Sequence, residues 1–410
     1  MLNEILKQRS RDERKRMTDS LPCRLLRIIE SNIDFLLAEN KKATFDVVDA
    51  IIHDFEYTIN YLKEYKKNNS DVFKKKLKPK GKILLMLSYN EPTILSVVPL
   101  LNALIAGNSV SVKPSKRCIN FFNKIWIESG IINDLNLPLD VVEINDWAKT
   151  IEIISQMQAV YFFGSYKNAK TISKICAECF VEFIPEIETA DCKIFNVGSI
   201  ESLEEECRLT LMQSFTHAGQ TCQRICGIFV PESLYPKYRD ALIAVYWHIA
   251  ENNIINLISP DFKSNDEYSA IINSHIRAAN SSEVIQDKNS LEKIVLNPNP
   301  SSDFVKNGYF YPVLWVIPYK DERELIIYLN QRKFFLGLNI ISNDVSFIDR
   351  VIDATKFTRY TVNMEHVNIG TSEGWGGRWP SGAGGYKSWI EHFSVPYTVI
   401  VKKNEKENGF

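Results

Sequence analysis

The chain has 410 residues, 45% of them hydrophobic, and 49 Lys and Arg against 50 Asp and Glu leave a formal net charge of −1. That length allows two or three domains with sizeable cores, and the charge balance argues against a nucleic-acid binder or a protein held on an anionic membrane by its overall field. The basic runs 7–15 and 74–82 read as solvated surface, the first interrupted by acids and the second of loop composition.

Eight cysteines are scattered through apolar segments rather than grouped as a small secreted framework, which fits reduced thiols in the cytoplasm. Cys176 and Cys179 form a lone CxxC in a segment of helical pattern, with no second pair nearby, so no metal site is expected. The first residues lack an apolar core of signal-peptide length. The longest apolar stretch, 93–106, is too short for a membrane span and carries Pro99 and Asn102. A soluble cytoplasmic protein is expected.

In chain order, Leu25, Ile28, Ile29, Ile33, Leu36 and Leu37 recur at helical spacing, and Val47, Val48, Ile51, Ile52 and Phe55 continue it in a second helix. The Lys/Asn-rich piece 66–80 reads as an exposed connection. A buried strand is predicted within 81–88, then a loop to Pro92, an apolar helix over 93–106, and a second strand over 109–114 after Gly107-Asn108. Strand, helix and strand in so short a span predict a βαβ unit and a parallel sheet. The alternation continues with a strand at 141–144, a helix near 148–157, a strand at 159–163 and a helix over 167–180. There is no GxGxxG, so the ordinary dinucleotide fingerprint is missing. The tail 397–402 reads as a strand with no sheet of its own.

Six blocks taken together resemble the aldehyde dehydrogenase superfamily. They are the segment Leu87-Ser-Tyr-Asn-Glu-Pro-Thr93 with Gly107-Asn-Ser-Val-Ser-Val-Lys-Pro-Ser115, the turn Phe162-Phe-Gly-Ser165, and Phe215-Thr-His-Ala-Gly-Gln-Thr-Cys222. Further along come the stretch from Tyr309 to Pro318, the stretch from Tyr328 to Val345, and the run from Trp375 to Ser388. They stand in the family's order and cover nearly all of the chain; Gly-Gln-Thr-Cys and Leu-Asn-Gln-Arg look most like the compact class 3 branch. The resemblance implies an α/β protein, with an open Rossmann-type cofactor domain over 1–188 and a bridging segment near 71–82. An α/β catalytic domain would cover 189–385, and a C-terminal bridging or oligomerisation segment 386–410. It also implies a homodimer, with the tail strand pairing across the subunit interface.

By the same resemblance Cys222 is the nucleophile: its thiolate adds to an aldehyde, the adduct passes hydride to NADP or NAD, and a thioester is left. Asn90 would supply an amide to the developing oxyanion beside the backbone N–H of Cys222. Lys113 and Ser115 would lie at the adenosine ribose, and Gly164 and Ser165 would receive the pyrophosphate at the start of a helix. Phe310 would pack at the nicotinamide ribose. At position 116, where the family often carries an acid that repels a 2′-phosphate, stand Lys116 and then Arg117, which favours NADP over NAD.

Four departures bear on the chemistry. The family's base is a Glu, and here Glu186 and Glu188 both compete for the place, neither followed by the usual two glycines. Gly308 stands where the family has the Glu that holds the nicotinamide ribose. His217 replaces an Asn five residues before Cys222, and reads either as a group acting on the thiol or as a bland loop histidine. Trp375, Trp379 and Trp389 crowd the late glycine-rich run, as pocket walls or as core. The leading reading is oxidation of an aldehyde to an acid. The alternative is NADPH-dependent reduction of an acyl thioester through the same acyl-cysteine, and a third is an inactive relative with a binding or assembly role. The partner expected in the first two is a small aldehyde or acyl substrate, with no nucleic acid.

Overall fold

A computed structural model of the chain describes residues 11–44, 48–142, 146–187, 189, 191–252, 266–281, 283–288, 291–366, 370–382 and 388–400. Helices α1 (Arg11–Ser31), α2 (Ile33–Thr44) and α3 (Val48–Asn68) open the chain. Met17, Leu21, Leu25 and Ile29 form a four-residue-spaced buried stripe on α1. The sequence pattern reads straight through position 32, but the structure divides it there. Asn32 donates to the Ile29 carbonyl at 3.2 Å while its own carbonyl starts the next helix at Leu36, 3.0 Å away.

These helices pack around α4 (Pro92–Ile105), every residue of which is buried. Pro92 suits the first turn, where a missing N–H costs nothing. The helix ends at Gly107, with φ +94°, and Asn108 fixes the exit. Its amide donates to the Ala103 and Phe393 carbonyls at 3.0 and 2.9 Å, and its oxygen accepts from Gly81 N at 3.0 Å.

The strands β1 (Leu77–Pro79), β2 (Lys82–Met86), β3 (Ser109–Lys113), β4 (Leu139–Val141), β5 (Ala159–Gly164) and β6 (Glu182–Ile187) follow. The last five form a parallel sheet in the order β4-β3-β2-β5-β6. The expected exposed connection over 66–80 is corrected. The third helix runs to Asn68, and β1 pairs antiparallel with β14 (Ser394–Pro396), a partner more than 300 residues away that no local pattern announces. The chain then leaves this sheet at Ile187 and enters a second at Cys192.

That second sheet holds β7 (Cys192–Asn196), β8 (Gly227–Pro231), β9 (Glu283–Ile285), β10 (Lys293–Leu296), β11 (Val313–Tyr319), β12 (Gly337–Ser342) and β13 (Arg359–Val362). Its order among the described residues is β13-β12-β7-β8-β11-β10-β9, all parallel but for β9. The tail strand expected over 397–402 is displaced towards β14. Residues 397–400 form no strand beyond a bond from Tyr397 N to the Lys76 carbonyl at 3.1 Å, and 401–402 lie outside the described residues. No helix among the described residues is long and apolar enough to cross a membrane.

Candidate active site

The parallel register brings the expected residues to one edge. Met86 pairs with both Lys113 and Phe162, and Phe163 pairs with Glu186, so the loop 88–91, Lys113, Gly164-Ser165 and Glu186 all lie at the carboxyl ends of the first sheet's strands. Open α/β sheets bind ligands at that edge.

Gly164 ends β5, and a Cβ there would come 2.8 Å from the Phe162 ring. Ser165 caps α5 (Tyr166–Glu178), its hydroxyl accepting from Asn168 N at 3.3 Å. Lys113 is half-buried, and burial followed by the neighbouring Lys116 charge holds its amine below the usual range. Ser115 precedes a short turn that carries Lys116 and Arg117 into solvent. Half-buried ammonium, exposed cations and a capped helix start make a donor set suited to an anionic, phosphate-bearing ligand.

Where the resemblance places the nicotinamide, the chain departs from the family pattern. A Cβ at Gly308 would fall 1.8 Å from the Thr189 carbonyl oxygen, so the backbone approach itself excludes the acid found there in the family. Phe310 is partly buried between Tyr309 and Tyr311. Arg224, 1% exposed, grips that segment: its guanidinium donates to the Tyr309 carbonyl at 3.1 and 2.5 Å and to the Val313 carbonyl at 2.9 Å.

The loop that carries Cys222 leaves α6 (Leu203–Phe215) through His217, Ala218 and Gly219, at φ +56°, +54° and +70°. A Cβ at Gly219 would meet the Tyr311 carbonyl carbon at 2.4 Å, so both φ and space demand glycine. Asn90 reaches across to this loop, its amide donating to the Gln220 carbonyl at 3.0 Å while its oxygen accepts from Ser88. Tyr89 donates to the Gln220 side chain at 2.9 Å, and the Arg117 guanidinium lies 4.0 Å from the Tyr89 ring centre. The Thr189 hydroxyl donates to the Cys222 carbonyl.

Cys222 as a whole residue is partly exposed. Burial, then the carboxylates of Glu91, Glu186 and Asp191, push its thiol well above the ordinary range. Glu186, half-buried on β6, also lies against the late glycine-rich run: a Cβ at Gly382 would be 3.1 Å from its Oε2. Glu188 lies outside the described residues. Cys226 is core.

His217 is 2% exposed, and neither ring nitrogen has a hydrogen-bond partner among the described residues. Burial pushes its pKa down to about 3, so it is a neutral imidazole and not a cation that lowers the thiol pKa. The three tryptophans differ in their placement. Trp389 is core, Trp375 donates to the Tyr57 hydroxyl at 3.0 Å, and Trp379, 66% exposed, lines an open groove of about 620 Å³ with Lys80, Glu182 and Val395.

Sequence reading passed over Glu91, His53, Asp191, His366 and Arg359. Asp191 and His366 form a fully buried pair at 2.9 Å, and Arg359 donates to the His366 carbonyl at 2.8 Å. Glu91 had one available signal, its place beside Asn90; the others are brought in by helix or strand packing.

Residues 37–400 match the Aldehyde dehydrogenase family. The chain is 24% identical over 345 residues to the 4,4'-diapolycopene aldehyde oxidase of Methylomonas sp, covering 80% of this chain but 63% of that protein. It is also 24% identical over 354 residues to the dimeric NADP-preferring aldehyde dehydrogenase of Mus musculus, covering 80% of this chain and 74% of that one. Among solved structures, the substrate-bound state of Staphylococcus aureus AldH superposes with a TM-score of 0.74 at 22% identity, covering all of this chain and 93% of the other.

Proposed function

The chain belongs to the aldehyde dehydrogenase family of oxidoreductases, and we propose that it oxidises an aldehyde to the carboxylic acid with NAD(P), through a covalent intermediate on Cys222. The observation that carries this reading is the meeting of the nucleophile loop with the first sheet's strand ends, where Asn90 bonds the Gln220 carbonyl at 3.0 Å two residues before Cys222.

In this reading Cys222 attacks the carbonyl carbon, and the carbonyl oxygen, as it gains charge, is held by the Asn90 amide and the Cys222 backbone N–H. A bound dinucleotide supplies hydride acceptance there. Lys113, Ser115, Gly164 and Ser165 hold its phosphate and adenosine end, Phe310 packs at the ribose of the other end, and Lys116 favours NADP over NAD. Glu186 takes a proton from the water that hydrolyses the thioester; its half-buried place beside Gly382 and its influence on the Cys222 thiol support that choice. Glu188 is its rival by sequence spacing.

We also read the protein as a cytoplasmic homodimer with domains divided near residue 188. The eight free thiols suit a reducing compartment, and Val399 and Ile400, 54% and 92% exposed, suit burial against a second copy. The substrate is left at the level of an aldehyde.

A time course of NADPH formation from NADP+ across an aldehyde panel, at enzyme concentrations that resolve one turnover, tests this reading. Sustained turnover is expected. A burst of one equivalent that then stops would overturn hydrolysis and make NADPH-dependent reduction of an acyl thioester the better reading. No burst with any aldehyde or with NAD+ would overturn the activity itself.

A further inference from the structure

The turn that carries Lys116 and Arg117 is joined to the loop that carries Cys222 through Tyr89 and Asn90. Each junction is made twice, through a side chain and through backbone. On one side the Arg117 guanidinium lies 4.0 Å from the Tyr89 ring centre, and the Cys118 thiol donates to the Tyr89 carbonyl at 3.7 Å. On the other, the Tyr89 hydroxyl donates to Gln220 Oε1 at 2.9 Å, and the Asn90 amide donates to the Gln220 carbonyl at 3.0 Å.

Gln220 has little freedom of its own. It is 5% exposed, and its backbone N–H and side-chain amide both donate to the His217 carbonyl, at 3.0 and 3.4 Å. Its side chain and backbone therefore move together, and Cys222 follows two residues later. Burial raises the Tyr89 hydroxyl above its ordinary value against the opposing Arg117 charge, so it keeps its proton and donates at neutral pH. The weakest of these contacts is the outermost one. Arg117 is exposed, and a cation over a ring in solvent is held less firmly than a guanidinium on a phosphate, where two charge-assisted hydrogen bonds can form at once. A phosphate arriving beside Lys116 competes for Arg117 and wins. The Tyr89 ring is only half-buried, so loss of the guanidinium opens that face to water, which then competes for the hydroxyl that Gln220 holds.

We propose that Tyr89 is a positioning residue that links a phosphate site at Lys116 and Arg117 to Cys222. A phosphate there draws Arg117 off the ring, loosens the Tyr89 clasp on Gln220 and makes the thiol more accessible, while the Asn90 bond keeps the loop in place. The proposal rests on the reading that the 2′-phosphate of NADP binds beside Lys116. It separates the two dinucleotides by more than affinity: NADP prepares the nucleophile as it binds, whereas NAD, with a hydroxyl in that place, leaves Arg117 on the ring. Tyr89 acts through Gln220 and takes no part in bond making.

The test uses fragments of the adenosine end, which are too short to shield Cys222 from a reagent. Iodoacetamide alkylation of Cys222 is followed by mass spectrometry of its peptide at a fixed alkaline pH. The protein is studied alone, with saturating 2′,5′-ADP and with saturating 5′-AMP, saturation being set by calorimetric titration. In the wild type 2′,5′-ADP is expected to speed alkylation about threefold or more, the scale of one hydrogen bond, and 5′-AMP to leave it unchanged. Tyr89→Phe keeps a ring under Arg117 and removes the bond to Gln220. Its alkylation should be fast without ligand and should not respond to 2′,5′-ADP, whose affinity should be unaltered. Arg117→Gln, at an exposed position, should also be fast without ligand. A wild-type rate unchanged with 2′,5′-ADP bound overturns the proposal, as does a Tyr89→Phe protein that still responds or an Arg117→Gln protein no faster than the wild type. Binding without a response removes the link alone and leaves the NADPH burst to decide the activity. Failure of 2′,5′-ADP to bind removes the NADP reading and the link with it.

Discussion

Lys113, Gly164 and Ser165 stand at the ends of the strands or the start of the helix that present them, with Ser115 one turn beyond. Cys222 is presented in another way. Its loop passes through three left-handed residues and is held by Arg224 bonds to carbonyls 85 and 89 residues further along. Burial and then carboxylates from the α4 entry, β6 and the crossing between the sheets push its thiol up. The proposed dinucleotide end is thus a local product of strand–turn–helix geometry, and the proposed nucleophile end is assembled from distant segments. A substitution at the first should act on one contact, and one at the second should be felt through several.

The largest effect expected from that contrast is at the sulfur itself. Cys222→Ala should lower turnover by more than about 1,000-fold while dinucleotide binding, read by fluorescence titration, is unchanged; loss of both together would mean that the two ends are not separable. Next comes the loop. Gly219→Ala brings a methyl group into the Tyr311 backbone and forces φ +70° on a residue with a side chain, so it should cost roughly 2–4 kcal/mol of stability in denaturant melts. A loss under about 0.5 kcal/mol would show that the Tyr309–Val313 segment yields easily and that the assembly is looser than described.

This division also explains how much was legible in the sequence. The βαβ alternation, the Gly107-Asn108 stop and the Phe-Gly-Ser turn are short-range signals, and the structure follows them within a few residues. The strand over Leu77–Pro79 was missed because its partner is Ser394–Pro396. His53 and Asp191 were missed because nothing near them in the chain marks a site; one lies on a helix of ordinary amphipathic pattern and the other in the crossing between sheets. Gly308 was legible as a departure, but its reason, the Thr189 carbonyl lying where a Cβ would be, is a contact between segments and has no sequence signature.

A third prediction reads the buried Glu91 carboxyl through stability. Glu91 binds its proton more tightly folded than unfolded, about 8 against 4.5, so the stability it contributes is full below 4.5 and lost as pH rises through 8. Between pH 6.5 and 8 its buried neighbours act otherwise. Asp54, raised to about 6, is largely ionised in both states, whereas His217 and His53, lowered from 6.5, are neutral when folded and lose protons only when unfolded, so their share rises with pH. Over that window the wild type should therefore fall by up to about 2 kcal/mol relative to Glu91→Gln, whose own stability should stay level or rise. An equally steep slope in the variant would assign it to another group.

The smallest effect belongs to the dinucleotide end. Lys116 is exposed and can act only through charge on a phosphate near it. Lys113 is half-buried, and its amine is already held below the usual range by desolvation and then by Lys116. Lys116→Glu exchanges an attraction for a repulsion at one point and also relieves Lys113 of a like charge. NADP should therefore bind about tenfold more weakly while NAD binding changes little or improves slightly, a difference near 1.4 kcal/mol that shrinks as salt is raised because the site is open to solvent. Equal losses for both dinucleotides would mean that Lys116 touches a part they share, such as the pyrophosphate, and would overturn the proposed preference for NADP.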